Sequence, residues 1–132
     1  MEEEVDIKQL IASVPEFKFI CWQKQKREFI QNIWQRMSII SNQPSDIIAE
    51  ESTSDELDRW LDIWEQKISI TSRIGININS ADPWALIRVR KGWLKSFWHR
   101  LINKDFLIKV DDKYYGIQEE EHWYGVHIID YK

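Results

Sequence analysis

The chain has 132 residues, a single cysteine and a formal net charge of −4. Its 43% hydrophobic and 30% charged residues are typical of a globular protein, and we expect a single domain over residues 1–132. One cysteine excludes an intramolecular disulfide, no apolar run approaches the roughly 18 residues that span a bilayer, and the N-terminus MEEEVDIKQL is acidic where a signal peptide is basic. We therefore expect a cytoplasmic protein without a membrane segment.

The charge is distributed unevenly along the chain. Residues 41–66 contain eight acidic residues and one basic residue, a net of −7, whereas residues 67–113 contain ten basic and four acidic residues, a net of +6. Segments of opposite charge either pair with each other inside a protein or present a basic surface to an anionic partner.

The first 40 residues predict two N-terminal helices. A short helix that ends at Pro15 fits the spacing of Ile7, Leu10 and Ile11. A longer helix from Glu16 to about Ile40 fits an apolar stripe. That stripe contains Phe19, Trp22, Phe29, Ile30, Ile33, Trp34, Met37 and Ile40. The next segment, residues 41–52 (SNQPSDIIAEES), has the composition of a loop.

Residues 53–68 predict an acidic amphipathic helix. Thr53 and Glu56 have the spacing of a capping box, which closes the first turn of a helix. Apolar residues follow at helical intervals: Leu57, Trp60, Leu61, Trp64 and Ile68. The opposite face carries Asp55, Asp58, Asp62 and Glu65. We favour a solvated acidic face over a metal site or a nucleic-acid mimic, because no His or Cys accompanies these carboxylates.

Strand patterns dominate the remainder of the chain outside its central basic stretch. Alternating and β-branched residues predict a strand from Ile68 to Ile78, with a bulge or bend at Gly75. Phe106–Val110 and Tyr114–Gln118 predict a hairpin, which Trp123–Ile129 extends to a meander. The fold expected from these patterns is α+β and mainly helical, with a small C-terminal antiparallel sheet.

Basic charge is concentrated in residues 80–113, where the pattern predicts two helices. A helix start signal lies at residues 79–80. A single long helix would put Arg90 on its apolar side and Gly92 in its interior, and both are unfavourable. We therefore expect one helix of about eight residues that ends at a turn around Gly92, and a second helix over Trp93–Asn103.

Residues 91–117, KGWLKSFWHRLINKDFLIKVDDKYYGI, combine the second of these helices with a strand, a short turn and another strand. From about residue 80 this order resembles the second half of a winged-helix domain. In that superfamily the second helix enters a nucleic-acid groove, and the hairpin, or wing, contacts the backbone beside it. The resemblance implies a recognition helix that carries Lys91, Lys95, Ser96, His99 and Arg100. It implies a wing that contains Lys109, Asp111, Asp112 and Lys113.

Two binding functions fit this pattern. The first is nucleic-acid binding through the basic helix and the adjacent hairpin, because phosphate attraction accumulates from clustered cations. Its candidate residues are Arg88, Lys91, Lys95, His99, Arg100, Lys109 and Lys113. The alternative is a protein-interaction module, such as an adaptor, an inhibitor or a small subunit of a larger complex, that uses a surface rich in Trp and Tyr. Its candidate partner-binding residues are Trp93 and Tyr114.

The direction of the basic residues on the second helix separates the two hypotheses. An exposed and contiguous basic arc favours nucleic acid. Pairing of that arc with the carboxylates of the acidic helix favours a protein partner.

No sequence motif indicates catalysis, a metal or a cofactor. His122 and His127 have no recognisable metal-site spacing, and on one strand they would face opposite sides of the sheet. Cys21 lies in an aromatic-rich segment that favours a buried and inert thiol. The sequence also lacks a phosphate-binding Gly-rich loop and a nucleophile elbow. We therefore expect a non-enzymatic binding module.

Overall fold

A computed structural model describes residues 7–25, 27–39, 44–69, 71–78, 83–101 and 103–129. Within these residues the chain forms four helices and seven strands. The helices are α1 (Ile7–Ala12), α2 (Arg27–Ile39), α3 (Ser54–Ile68) and α4 (Trp93–Arg100). The strands are β1 (Phe17–Gln23), β2 (Asp46–Ala49), β3 (Arg73–Asn77), β4 (Trp84–Val89), β5 (Phe106–Val110), β6 (Lys113–Glu119) and β7 (Trp123–Ile129).

All seven strands belong to one antiparallel sheet in the order β1-β4-β3-β5-β6-β7-β2. The predicted meander of β5, β6 and β7 is confirmed, but β4 and β3 extend it on one side and β2 extends it on the other. The class α+β is correct. The expectation of a mainly helical fold with a small C-terminal sheet is wrong, because strands from the whole described chain build one large sheet.

The helices cover the two faces of the sheet unequally. One core contains residues of α1, α3 and α4 together with alternate residues of the strands, among them Ile76, Ile87 and Ile108. A second, smaller core lies on the opposite face, where α2 packs on Trp84 and Tyr114. We call the face covered by α1, α3 and α4 the inner face and the face that carries α2 the outer face.

The predicted helix Glu16–Ile40 is wrong over its first part, which forms strand β1. Phe17 and Phe19 alternate along this strand and both pack against the inner-face core. A register shift between Phe19 and Cys21 then brings Trp22 to the same face, so its spacing from Phe19 mimics a helical stripe. Aromatic and β-branched residues favour a half-buried strand, and tertiary pairing with β4 decides the outcome.

The helix predicted before Gly92 is also wrong, because those residues form strand β4. Ala85, Ile87 and Val89 pack in the inner-face core, while Trp84 packs on the outer face. A strand buried on both faces shows an apolar run instead of a clean alternation, and that run resembled a helix. The predicted start signal at residues 79–80 lies outside the described residues.

The turn at Gly92 is confirmed, and its backbone explains the choice of glycine. Gly92 is the N-cap of α4 and has φ 94°, in the left-handed region that disfavours residues with a Cβ. A strand precedes this turn and a single short helix follows it, so the described chain contains no helix pair of the winged-helix type. The winged-helix resemblance is therefore not a resemblance of fold.

The acidic helix is confirmed with its capping box. The Glu56 backbone N–H donates to Thr53 Oγ1 at 3.2 Å, and the Thr53 backbone N–H donates to Glu56 Oε1 at 3.0 Å. The segment predicted as a loop, residues 41–52, contains strand β2 in its described part. Asp46 attaches this strand to α3, because its Oδ2 accepts the indole N–H groups of Trp60 at 3.0 Å and Trp64 at 2.7 Å.

Candidate binding surface

Helix α2 covers only part of the outer face. It packs on the part that carries Trp84, Leu107, Tyr114 and Ile129. The remaining part, formed by β1, β3 and β4 away from α2, carries Lys18, Arg73 and Arg88, whose side chains are exposed. No described helix packs on these three residues.

Strand register places these cations side by side. Lys18 lies opposite Arg88 in the β1–β4 pair, and Arg73 lies opposite the same Arg88 in the β3–β4 pair. Directly opposed residues of neighbouring strands point to the same face, and neighbouring strands lie about 4.8 Å apart. The three residues therefore form a row that crosses three strands over about 10 Å.

Lys109 extends this row towards β5. It lies opposite Gly75, which is two residues from Arg73 and so shares its face. Its Nζ donates to Gln23 Oε1 at 3.2 Å, and partial burial lowers the pKa of its ammonium group. We call Lys18, Arg73, Arg88 and Lys109 the basic patch.

A depression of about 340 Å³ lies beside Arg73 and Lys109 of the basic patch. It is lined by Gln23, Thr71, Ser72, Arg73, Ile74, Gly75, Leu86, Lys109 and Asp111. Gly75 lies beneath it, and the surrounding side chains provide hydroxyl, amide and cationic groups. The donors are suited to an anionic or carboxylate-bearing ligand.

The basic patch makes no ion pair with another described residue. Among the described residues, Lys95 forms an ion pair with Asp62, and two imidazoles lie near carboxylates with which they pair when protonated, His99 near Asp58 and His122 near Glu121. Like charges directly opposite each other on neighbouring strands are destabilising, and none of the described carboxylates lies within ion-pair distance of the row.

The cations of α4 are placed differently. Lys95 Nζ lies 3.4 Å from both carboxylate oxygens of Asp62, and His99 Nε2 lies 3.5 Å from Asp58 Oδ1. Arg100 donates to the carbonyl of Ser96 at 3.3 Å, which lies within its own helix. Acidic α3 therefore offsets part of the arc that the sequence assigned to a recognition helix.

Glu65 of α3 fixes this helix pair. Its side chain is buried, at 6% exposure, and its two carboxylate oxygens accept the backbone N–H groups of Gly92 and Leu94, each at 2.9 Å. The first N–H groups of a helix have no partner within the helix, and the helix dipole favours a negative charge there. The sequence pattern predicted that Glu65 lies on a solvated acidic face, whereas its buried carboxylate caps α4 from the neighbouring helix.

Lys91 and Lys113 lie apart from the basic patch. Lys91 is exposed in the turn before α4, at the border of a polar depression of about 650 Å³ that Glu65 also lines. Lys113 lies opposite Val110, whose side chain is in the inner-face core, so Lys113 and Lys109 occupy opposite faces of the sheet. The predicted hairpin is confirmed, but its two lysines do not form one surface.

Trp93 and Tyr114, the predicted partner contacts, are core residues. Trp93 is 1% exposed, and its indole N–H donates to Ser69 Oγ at 2.7 Å. Tyr114 packs against Trp84 and Phe29 under α2. Neither ring is available for stacking on a partner in this structure.

Most of the tryptophans have the same structural role as Trp93. Indole N–H groups donate to partners within the protein in Trp34, Trp60, Trp64, Trp84 and Trp93.

Groups with potential catalytic or metal-binding chemistry are dispersed. Cys21 is exposed on the outer face, so the expectation of a buried thiol is wrong. His127 is fully buried, its Nε2 lies 2.6 Å from Gln118 Oε1, and burial lowers its pKa. Among the described residues, no three His, Cys, Asp or Glu side chains are grouped so as to hold a metal ion.

Two residues of the basic patch, Arg88 and Lys109, were predicted from the sequence as nucleic-acid-binding residues, whereas Lys18 and Arg73 were not. These two residues are single cations within the apolar segments FKF and SRIGI. A single cation in an alternating apolar segment indicates a strand residue on the exposed face, and this was the only local sign that Lys18 and Arg73 belong to a surface. Only strand pairing, which joins positions 18, 88 and 73, shows that the cations are neighbours.

Comparisons with protein-family models, with curated proteins and with solved structures gave no match for this chain. In the described part of the chain, every helix is too short or too polar to cross a membrane. Function is therefore inferred from the surface itself.

Proposed function

We propose that this protein is a non-enzymatic protein-interaction module, such as an adaptor, an inhibitor or a small subunit of a larger complex. The observation that carries this proposal is the ion pair of Lys95 with Asp62, beside which the imidazole Nε2 of His99 lies 3.5 Å from Asp58 Oδ1. α3 thus offsets the charge of Lys95, whereas Arg100 of α4 is exposed and donates only to the carbonyl of Ser96. Part of the basic charge predicted for a recognition helix is thus engaged within the protein, which supports a protein partner over a nucleic acid.

The outer edges of the sheet also support this function. β1 and β2 are the terminal strands, and terminal strands expose backbone N–H and C=O groups that can pair with another chain. Ile47 on β2 is 52% exposed, so an apolar side chain lies at that edge on the outer face. Ile20 is exposed on β1.

Nucleic-acid binding is the second candidate, and the basic patch is the observation that favours it. Lys18, Arg73 and Arg88 are exposed and without a described ion-pair partner, which is the arrangement that attracts phosphate. Single-stranded nucleic acids also require a stacking platform for their bases, and the described side chains around the patch include no exposed aromatic ring. The protein-interaction function is therefore the better supported of the two.

A cytoplasmic location belongs to the same proposal. The exposed thiol of Cys21 is free, and a reducing compartment keeps such a thiol from forming mixed disulfides.

The test combines photo-crosslinking with nucleic-acid binding. A photoreactive residue is placed in cells of the source organism at Cys21, Ile47 or Ile63, three exposed positions on different surfaces. The proposal predicts a discrete protein adduct from at least one position. It also predicts no salt-sensitive binding of the purified protein to labelled single-stranded or double-stranded DNA or RNA between about 50 and 200 mM salt.

The opposite pattern would sink the proposal. Nucleic-acid affinity that falls steeply with salt and disappears in R73E/R88E, together with no protein adduct, would establish the second candidate.

A further inference from the structure

The basic patch has the properties of a surface that is completed by a ligand. Lys18, Arg88 and Arg73 occupy directly opposed positions on three adjacent strands, and Lys109 lies beside them. Like charges in such positions repel each other, so the arrangement opposes folding unless a negative charge is placed against it. A local feature that works against the fold is expected at functional positions.

Size and composition of the patch favour a short acidic segment over a long polyanion. The row extends over only about 10 Å, which is the width of three strands. Asp111 lines the depression and Asp112 follows it at the exposed hairpin turn, so negative charge borders the patch on the β5 side and limits the length of anion that the patch can hold. Attraction to a nucleic-acid backbone accumulates with the number of cations that contact phosphates, and this patch provides four.

The donor groups suit carboxylates in particular. Arg73 and Arg88 present planar guanidinium groups that can each hold a carboxylate with two parallel hydrogen bonds. The depression of about 340 Å³ lies beside Arg73 and Lys109, and its walls carry the hydroxyl groups of Thr71 and Ser72 and the amide of Gln23, together with the carboxylate of Asp111. Lys109 is already oriented towards this site by its hydrogen bond to Gln23.

We infer that the basic patch is a docking site for an acidic segment of a partner protein, a segment that places two or three Asp or Glu side chains within about 10 Å. This inference rests on the proposed function and specifies the surface and the chemistry of the partner. Its warrant is charge complementarity, since the exposed cations of the patch have no described carboxylate partner.

The test uses a defined probe, a fluorescein-labelled peptide of 12 residues in which Glu and Ala alternate, with a Gln–Ala peptide of equal length as the uncharged control. Fluorescence anisotropy measures its affinity for the whole protein at about 50 and 200 mM salt. The variant R73E/R88E removes the centre of the patch. The matched variant K91E/R100E makes the same change in net charge at two exposed cations outside it.

The inference predicts that the Glu–Ala peptide binds and the Gln–Ala peptide does not. It predicts at least tenfold weaker binding to R73E/R88E and less than a twofold change for K91E/R100E. R73Q/R88Q, which introduces no new charge, is expected to weaken binding in the same direction. Circular dichroism verifies that each variant is folded.

Three results would overturn the inference. Equal losses in R73E/R88E and K91E/R100E would mean that the peptide responds to overall charge alone. Tighter binding of an oligo(dT) strand than of the peptide, lost in R73E/R88E, would assign the patch to nucleic acid. Cys21 lies on the β1 end of the outer face, near the basic patch. If protein adducts form from Ile47 or Ile63 but not from Cys21, the proposed function stands but the interface lies away from the basic patch.

Discussion

Replacement of Glu65 by Ala tests whether α4 is held by α3 as the structure indicates. The substitution leaves the backbone N–H groups of Gly92 and Leu94 without the acceptors that lie 2.9 Å away. A buried donor that loses its partner costs about 1–3 kcal/mol, so two such donors give an expected loss of about 3 kcal/mol in the free energy of unfolding. For a chain of 132 residues this corresponds to a decrease of about 10 °C in Tm.

Urea denaturation followed by tryptophan fluorescence measures this loss. Glu65→Gln keeps one carbonyl oxygen as an acceptor and removes the charge, so it should lie between the wild type and Glu65→Ala. Gln66→Ala changes the exposed neighbour in the same helix and should stay within about 0.5 kcal/mol of the wild type. A loss below about 1 kcal/mol for Glu65→Ala would refute the cap.

Three further predictions concern stability. His127 is buried and its pKa is lowered from 6.5, so the unfolded chain binds a proton first as the pH falls, and the free energy of unfolding should decrease below about pH 6.5. In urea titrations from about pH 7 to 5, His127→Gln should reduce the slope of the free energy of unfolding against pH. An unchanged slope would contradict the assignment to His127. Asp46→Ala should lower the free energy of unfolding by about 2–4 kcal/mol in urea denaturation, because the indole N–H groups of Trp60 and Trp64 lose their acceptor. A loss no larger than that of a surface substitution would show that this carboxylate does not hold β2 on α3. Gly92→Ala should lower stability by about 1 kcal/mol in thermal melts because φ is 94°, and a neutral effect would argue against the left-handed N-cap.

The sequence correctly predicted those elements whose structure depends on contacts between residues close together in the chain. The capping box of Thr53 and Glu56 identified α3, and Gly92 identified the turn before α4. The strand pattern of residues 106–129 identified the meander, where hairpin connections keep sequence neighbours in contact. In each case the contacts that decide the structure lie within a few residues of the pattern.

The elements that sequence analysis missed depend on distant contacts. β1 and β4 are strands because they pair with each other across more than 60 residues, as Lys18 with Arg88 illustrates. Their apolar residues fit a helical stripe equally well when each segment is considered alone. The wrong assignment of β4 also produced the winged-helix resemblance.

The binding surface was missed for the same reason. A basic patch on a helix can be recognised from spacing along the sequence, and Lys95 and His99 have that spacing, but the structure pairs them with α3. A patch across strands consists of residues such as Lys18, Arg73 and Arg88 that have no sequence relation to one another. Only the order and register of the sheet bring them together.

Exposed positive charge from three neighbouring strands is grouped on the outer face of the sheet, whereas Lys95 of α4 is paired with Asp62. A titration of ¹⁵N-labelled protein with the Glu–Ala peptide, followed by amide chemical shifts, tests this arrangement most directly. We expect shifts that cluster at Lys18, Arg73, Arg88 and Lys109, with little change in α4. Shifts concentrated on residues 91–100 would contradict it and would restore α4 as the anion-binding element.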